Sequence, residues 1–371
     1  MTRAWQGSML AAMFSLAAPA WAQAPIQIVP PAAQTPPPKP LKPVHRPPPA
    51  KTAKPAAEPP GRPAPAKPKP QPSTSKSLAL PYAAPGSGAA EPDLAYAAYD
   101  GGQYLTAFAE ATRRVNDKGD PKAMTLLGEL YANGFGVPKD DQKALAWFSL
   151  AVDRGDREAM FELAMLRLAA RGGPRDRDAA AALLERSAKL GHIAASYNLA
   201  LLYLEGQQFD RDFAKAAELL RGAADAGNPD AQYALATLYK EGRGVAKDAG
   251  EAARLLGTAA RAGNLDAEVE YAIALFNGTG MVKDEAGAVA WFRKAARQGS
   301  PIAQNRLARI LAAGRGAPAD PVEATKWHLI AKAAGESDPW LDSFVGNLRP
   351  TEREAGEKAA KPWLASLPPR T

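Results

Sequence analysis

A 36-residue unit runs six times without a gap from Asp120 to Gly335, and nothing else in the 371-residue chain restricts its fold as strongly. Each unit closes on glycine: Gly155, Gly191, Gly227, Gly263, Gly299 and Gly335. Each has alanine at its fourth position (Ala123, Ala159, Ala195, Ala231, Ala267, Ala303) and aspartate at its twenty-first (Asp140, Asp176, Asp212, Asp248, Asp284, Asp320). Alanine recurs four residues after that aspartate, from Ala144 to Ala324. A fixed period of this size signals stacked supersecondary units, none of which can bury its apolar face alone.

The residues within a unit say what is stacked. Asp120-Pro121, Asn228-Pro229 and Ser300-Pro301 pair a short polar cap with proline in the first helical turn, the expected start of a helix. Alanine and leucine then recur at helical spacing, as in Ala231, Leu235, Ala236 and Leu238. Glycine pairs such as Gly242/Gly244 and Gly278/Gly280 stop that helix, because glycine enters the left-handed region without strain. The repeated aspartate caps a second helix, and the closing glycine ends it. Small residues one place after the large apolar position (Gly128, Ala164, Ala200, Ala236, Ala272, Ala308) allow close stacking. The sequence therefore predicts an all-α chain, an α-solenoid of helix-turn-helix repeats.

The segments GFGVPKDDQKALAWF (Gly134 to Phe148) and GRGVAKDAGEA (Gly242 to Ala252) carry a G-x-G-V-x-K-D turn, and the first runs on into a W-F second helix. With the LALLY-type first helices, these segments resemble the Sel-one-like repeat family, a branch of the tetratricopeptide superfamily. The resemblance implies a right-handed superhelix and a role in organising protein complexes, often at bacterial cell envelopes. The chain departs from the pattern at Ala170, which stands where the first turn glycine belongs, and at Gln208, which replaces the second. The cysteine pairs of some relatives are missing, since the chain has no cysteine.

Outside the array the composition changes. Residues 1–22 read as a signal peptide, with Arg3, an apolar run from Met9 to Ala18, and small residues Ala20 and Ala22 before the cut. That run is too short to span a membrane, so no stable span is expected after cleavage, and the mature chain is expected to be periplasmic or secreted. Residues 23–90 read as a disordered Pro/Lys-rich linker. Pro25 to Pro85 holds 21 of the 35 prolines and nine Lys/Arg against one acid. The net charge of +7 thus belongs to the linker, and the sequence from Gly86 onward sums to −2. A nucleic-acid partner would need a basic folded face and is not expected. Residues 91–119 read as an N-terminal tetratricopeptide-like cap and 336–371 as a C-terminal helical cap and tail. In the latter, Thr351 and Glu354 suggest a capping box for a last helix reaching about Leu367.

The residues offer little for catalysis. His45, His192 and His328 are scattered, no metal-ligand spacing occurs, and no cofactor motif is present. Ser73 to Lys76 matches S-x-x-K but sits among prolines without partner motifs. The chain reads as a non-enzyme. A binding groove is the better candidate. At 100° per residue, positions 4, 8, 9, 11 and 12 of the repeat form the buried arc of the first helix, and positions 3, 6, 10 and 13 point toward the concave side. They read Glu158, Phe161, Met165 and Leu168 in the second repeat, and Tyr197, Leu201 and Leu204 in the third. The fourth gives Asp230 and Tyr233, and the fifth Asp266, Ile273 and Phe276. An apolar, aromatic strip with acidic edges is the usual mark of a partner site; burial between neighbouring layers would produce the same pattern. The expected partner is an envelope protein or peptide of basic character, and the alternative is cell-wall glycan or muropeptide binding, or regulation of a wall enzyme.

Overall fold

A computed structural model describes residues 93–366. The expected signal peptide, the whole of the expected Pro/Lys-rich linker and the extreme C-terminus lie outside the described residues. Sixteen helices and no strand occur among the described residues. First come α1 (Leu94–Asp100) and α2 (Tyr104–Lys118). Repeats one to three then supply α3 (Pro121–Asn133) with α4 (Asp141–Asp153), α5 (Arg157–Leu168) with α6 (Arg177–Lys189), and α7 (Ile193–Glu205) with α8 (Phe213–Asp225). Repeats four to six supply α9 (Pro229–Glu241) with α10 (Ala249–Arg261), α11 (Leu265–Asn277) with α12 (Glu285–Arg297), and α13 (Pro301–Ala313) with α14 (Pro321–Ala333). α15 (Pro339–Gly346) and α16 (Pro350–Ala365) follow. From α1 to α14 each helix packs on the next, which makes the array an α-solenoid.

The caps set the helix boundaries. All six aspartates at position 21 accept a backbone N–H from the first turn of the second helix. All six residues at position 1 do the same for the first helix: Asp120, Asp156, His192, Asn228, Asn264 and Ser300. Such a cap contributes about 1 kcal/mol relative to alanine. The expected capping box at the last helix does not form. α16 starts two residues earlier than that box requires, at Pro350, and Arg349 caps it without a side-chain bond. Proline suits the first helical position because its φ is preset and its missing N–H would be unpaired there. That draws Thr351 into the helix.

The two glycines of the turn do different work. The first takes the left-handed conformation at the helix end, as at Gly242 with φ 71°. The second lies against the preceding layer: a Cβ on Gly280 would fall 1.9 Å from the Ala249 carbonyl oxygen, and one on Gly244 2.1 Å from that of Phe213. In repeat two the first glycine is absent and Ala170 carries φ 55°, the one non-glycine with positive φ among the described residues. Between layers, Phe148, Phe276, Phe292 and Trp327 are fully buried among leucines and alanines. Each such side chain contributes roughly 1.5–3 kcal/mol by leaving water.

After α14 the period lapses. α15 is short, and α16 takes the place beside α14, with Trp363 edge-on to Trp327 at 5.3 Å.

Candidate functional site

The first helices of the repeats lie in register, so residues at equivalent positions form rows across the layers. Along this face Phe161 and Phe276 are buried, at 4% and 1% exposure. Glu158, Met165, Leu168, Tyr197, Leu201, Leu204, Asp230, Tyr233 and Ile273 are half-buried, and Asp266 is exposed. The strip is more closed than a single helical wheel suggests, because position 6 faces the cap of the next repeat. Phe161 stacks on the His192 ring at 4.7 Å, and Thr125 donates to the Asp156 carboxylate at 2.5 Å. Phe276 lies beneath the Arg315 guanidinium, 4.6 Å from its ring centre. These three contacts join layers. The half-buried residues remain as the accessible surface.

Third-position carboxylates reach the same caps. The Asn264 amide donates to Asp230 at 2.7 Å, and the His192 imidazole lies 3.1 Å from Glu158. That bond is the main reason the Glu158 carboxyl sits below the usual range. Partial desolvation pushes the Asp266 carboxyl up, with Asp230 adding to the effect. Burial also pushes the Tyr197 hydroxyl up to about 12, reinforced by Asp230 and Asp266.

The N-terminal end of the face gathers two further acids, Glu129 at position 10 of repeat one and Glu162 at position 7 of repeat two. Glu129 is 7% exposed; burial raises its carboxyl well above the ordinary range, and Glu162 and Glu158 raise it further. Burial lifts Glu162 to about 7, with Glu158 adding to the rise and His192 and Arg171 opposing it. α1 closes over this corner. Its Tyr99 hydroxyl lies close enough to Glu129 to oppose that rise, and its Tyr96 hydroxyl, raised by burial and by Glu129, Asp156 and Glu158, donates to the Lys122 carbonyl at 3.4 Å. The far end is arranged differently. Glu270 pairs with Lys240 at 2.7 Å. Asp338, 3% exposed, accepts from Arg309 at 2.5 Å and Asn305 at 2.9 Å while capping α15. Beside it Trp340 is 44% exposed, stacked on Phe344 at 5.9 Å.

The sequence reading thus missed Glu129, Glu162, Glu270, Tyr96, Tyr99 and Trp340 as parts of this face. A signal for three of them was present, since Glu129 occupies position 10 of repeat one. Position 7 lies one helical turn from positions 3 and 10, and it reads Glu162 and Glu270 in repeats two and five. The tyrosines of α1 had none, since they lie outside the period. Among the described residues no cluster of His, Asp or Glu is placed to hold a metal ion, and no helix is long and apolar enough to cross a membrane.

The family model of the Sel1 repeat matches residues 121–156, 157–192, 193–228, 229–264, 265–300 and 301–336. Among solved structures the chain is similar to a Sel1 repeat protein from Oxalobacter formigenes. The identity is 25% and the TM-score 0.58, over 67% of this chain and 100% of that one. It is also similar to c5321, a protective antigen present in uropathogenic Escherichia coli strains that displays an SLR fold. There the identity is 24% and the TM-score 0.51, over 73% of this chain and 67% of that one. No curated protein matches the chain.

Proposed function

The chain belongs to the Sel1 repeat family, and from that premise we propose that it is an exported adaptor of the cell envelope whose first-helix face holds a basic peptide or protein segment. Sel1 repeats are protein–protein interaction scaffolds, and the fold generally serves without catalysis. The observation that carries the finer reading is the arrangement of half-buried aromatics between acids. Tyr197 and Tyr233 lie among Asp230, Asp266 and Glu270, and Glu129, Glu158 and Glu162 gather at one end. Aromatic faces and carboxylates attract the stems and charges of lysine and arginine together. Export and an envelope location rest on the N-terminal sequence.

The test is crosslinking with mass spectrometry on the full chain in native envelope extract, beside an Asp230→Asn, Asp266→Asn variant whose helicity is confirmed by circular dichroism. These two acids are chosen because neither substitution empties the core. A captured protein that the variant loses supports the face as its site. Unchanged capture moves the contact elsewhere.

A second reading, binding of cell-wall glycan or muropeptide or regulation of a wall enzyme, draws on Trp340. An exposed indole stacked on Phe344, with Ser343 and Asn347 at its edge, suits the apolar face and hydroxyls of a sugar. Purified glycan quenching Trp340 fluorescence, lost in Trp340→Ala, would favour it.

A further inference from the structure

His192 is the one histidine among the six position-1 caps; the others are aspartate, asparagine or serine. Its cap bond defines its protonation. The Ala195 backbone N–H can only donate, and it points at Nδ1 from 3.0 Å. Nδ1 is therefore bare, and the ring's single proton sits on Nε2, which donates to Glu158 Oε2 at 3.1 Å. A doubly protonated imidazole has two donors and no acceptor, so it cannot cap α7 in this way. Its charge would also oppose the positive end of the helix. Carboxylates surround the ring. From α5, Glu158 touches it, Glu162 lies close by, and Arg157 is the cation beside Glu158. Arg171, in the turn after α5, also acts on Glu162. From α3, Glu129 faces both glutamates, and Tyr99 of α1 lies beside Glu129. Phe161 covers one ring face.

We propose that His192 is a proton-operated joint between repeats two and three that regulates the face described above. Uncharged, it caps α7; on taking up a proton it releases the Ala195 amide and serves the carboxylates of α5 instead. Repeat three is then held less firmly, and the acidic corner loses net negative charge. This rests on the first-helix face being the binding surface only for its consequence for a partner. The joint itself stands on the cap geometry.

The experiment uses the full chain and needs no partner. Imidazole nitrogen chemical shifts report the tautomer. Amide hydrogen exchange, corrected for its intrinsic pH dependence, reports the Ala195 N–H at about pH 8 and about pH 5.5. The control is His192→Asn, the cap already used at Asn228 and Asn264, which does not titrate. The expected result is a bare Nδ1 at the higher pH and protection of the Ala195 amide that falls several-fold on acidification in the parent. The Asn variant should hold its protection constant. A proton on Nδ1 at the higher pH overturns the proposal, as does the same loss of protection in His192→Asn. An oligolysine probe added to the same samples separates the two readings. If it fails to bind at either pH while the exchange behaves as expected, the binding face is wrong and the joint stands.

Discussion

At the N-terminal end of the first-helix face Glu129, Glu158 and Glu162 confront one another, and the basic groups acting on the glutamates of α5 are His192, Arg157 and Arg171. At the C-terminal end Glu270 is bonded to Lys240, and Asp338 is gripped by Arg309 and Asn305. The backbone is the same repeat at both ends, so the backbone does not distinguish them. Pairing does. An acid locked to a cation of its own chain serves the fold, whereas acids that face each other hold their protons more tightly, cost stability when they ionise, and gain from meeting a partner's cation.

The largest effect should come from breaking the paired end. Burial works against the charge of Asp338, yet Arg309, Asn305 and the Leu341 amide hold its carboxyl below the usual range. Asp338→Ala removes a buried partner from Arg309 and the cap from α15, a loss of about 3–5 kcal/mol. In a solenoid such a loss stays near its origin. Hydrogen exchange should therefore show α15 and α16 opening while α3 to α8 keep their protection. Uniform loss across the array would mean that the two ends are not independent.

The acidic end should respond with the opposite sign. The Glu162 carboxyl is raised from 4.5 to about 7 in the folded chain. Below the unfolded value both states hold the proton and the group is neutral to stability. Between the two values only the folded state still holds it, so stability falls as pH rises and the loss is complete above about 7. Glu162→Gln removes that fall. It should stabilise the fold at about pH 8 by about 1–2 kcal/mol once solvent screening of this half-buried group is allowed for, read as a higher urea midpoint, and leave stability unchanged at about pH 4. A variant less stable than the parent at the higher pH would show that Glu162 is paired after all.

How much of this was legible in the sequence follows from where the period holds. The helices and their caps are repeated six times and each turn glycine five times, so chance cannot imitate them, and Asp120 through Asp320 fall where the pattern put them. Position 6 was misjudged in one respect. A helical wheel treats a helix alone, and Phe161 is covered by a ring from the following repeat. The acidic corner was missed because it is assembled from three elements: α1, outside the period, and α3 and α5. No single repeat contains it. The last helix began early because Pro350 outweighed a weaker cap signal at Thr351.

A smaller effect lies in the turn of repeat two, beside the acidic corner. Ala170 holds φ 55° where five other repeats have glycine. Ala170→Gly relieves the clash of Cβ with its own backbone but adds freedom to the unfolded chain; the net gain should be about 0.5–1 kcal/mol, read as a higher thermal midpoint. No gain would mean that neighbouring contacts, such as Arg171 on Asp141 at 2.5 Å, already depend on the alanine.

The smallest effect tests the comparison most directly, because it converts a paired acid into an available one. Lys240→Met keeps an unbranched apolar stem against the half-buried surface and removes the ammonium from Glu270. Glu270 then faces Tyr233, whose hydroxyl already lies within its field beside Asp266. Arg306, which also feels Glu270, still offsets part of the new charge. If pairing decides which acids can serve a partner, the variant should bind an oligolysine probe about two- to threefold more tightly at low salt. That corresponds to about 0.5 kcal/mol, and the gain should shrink as salt screens it. If affinity is unchanged while Glu162→Gln weakens the same probe, place in the array rather than pairing selects the binding end. The C-terminal acids would then belong to the fold alone.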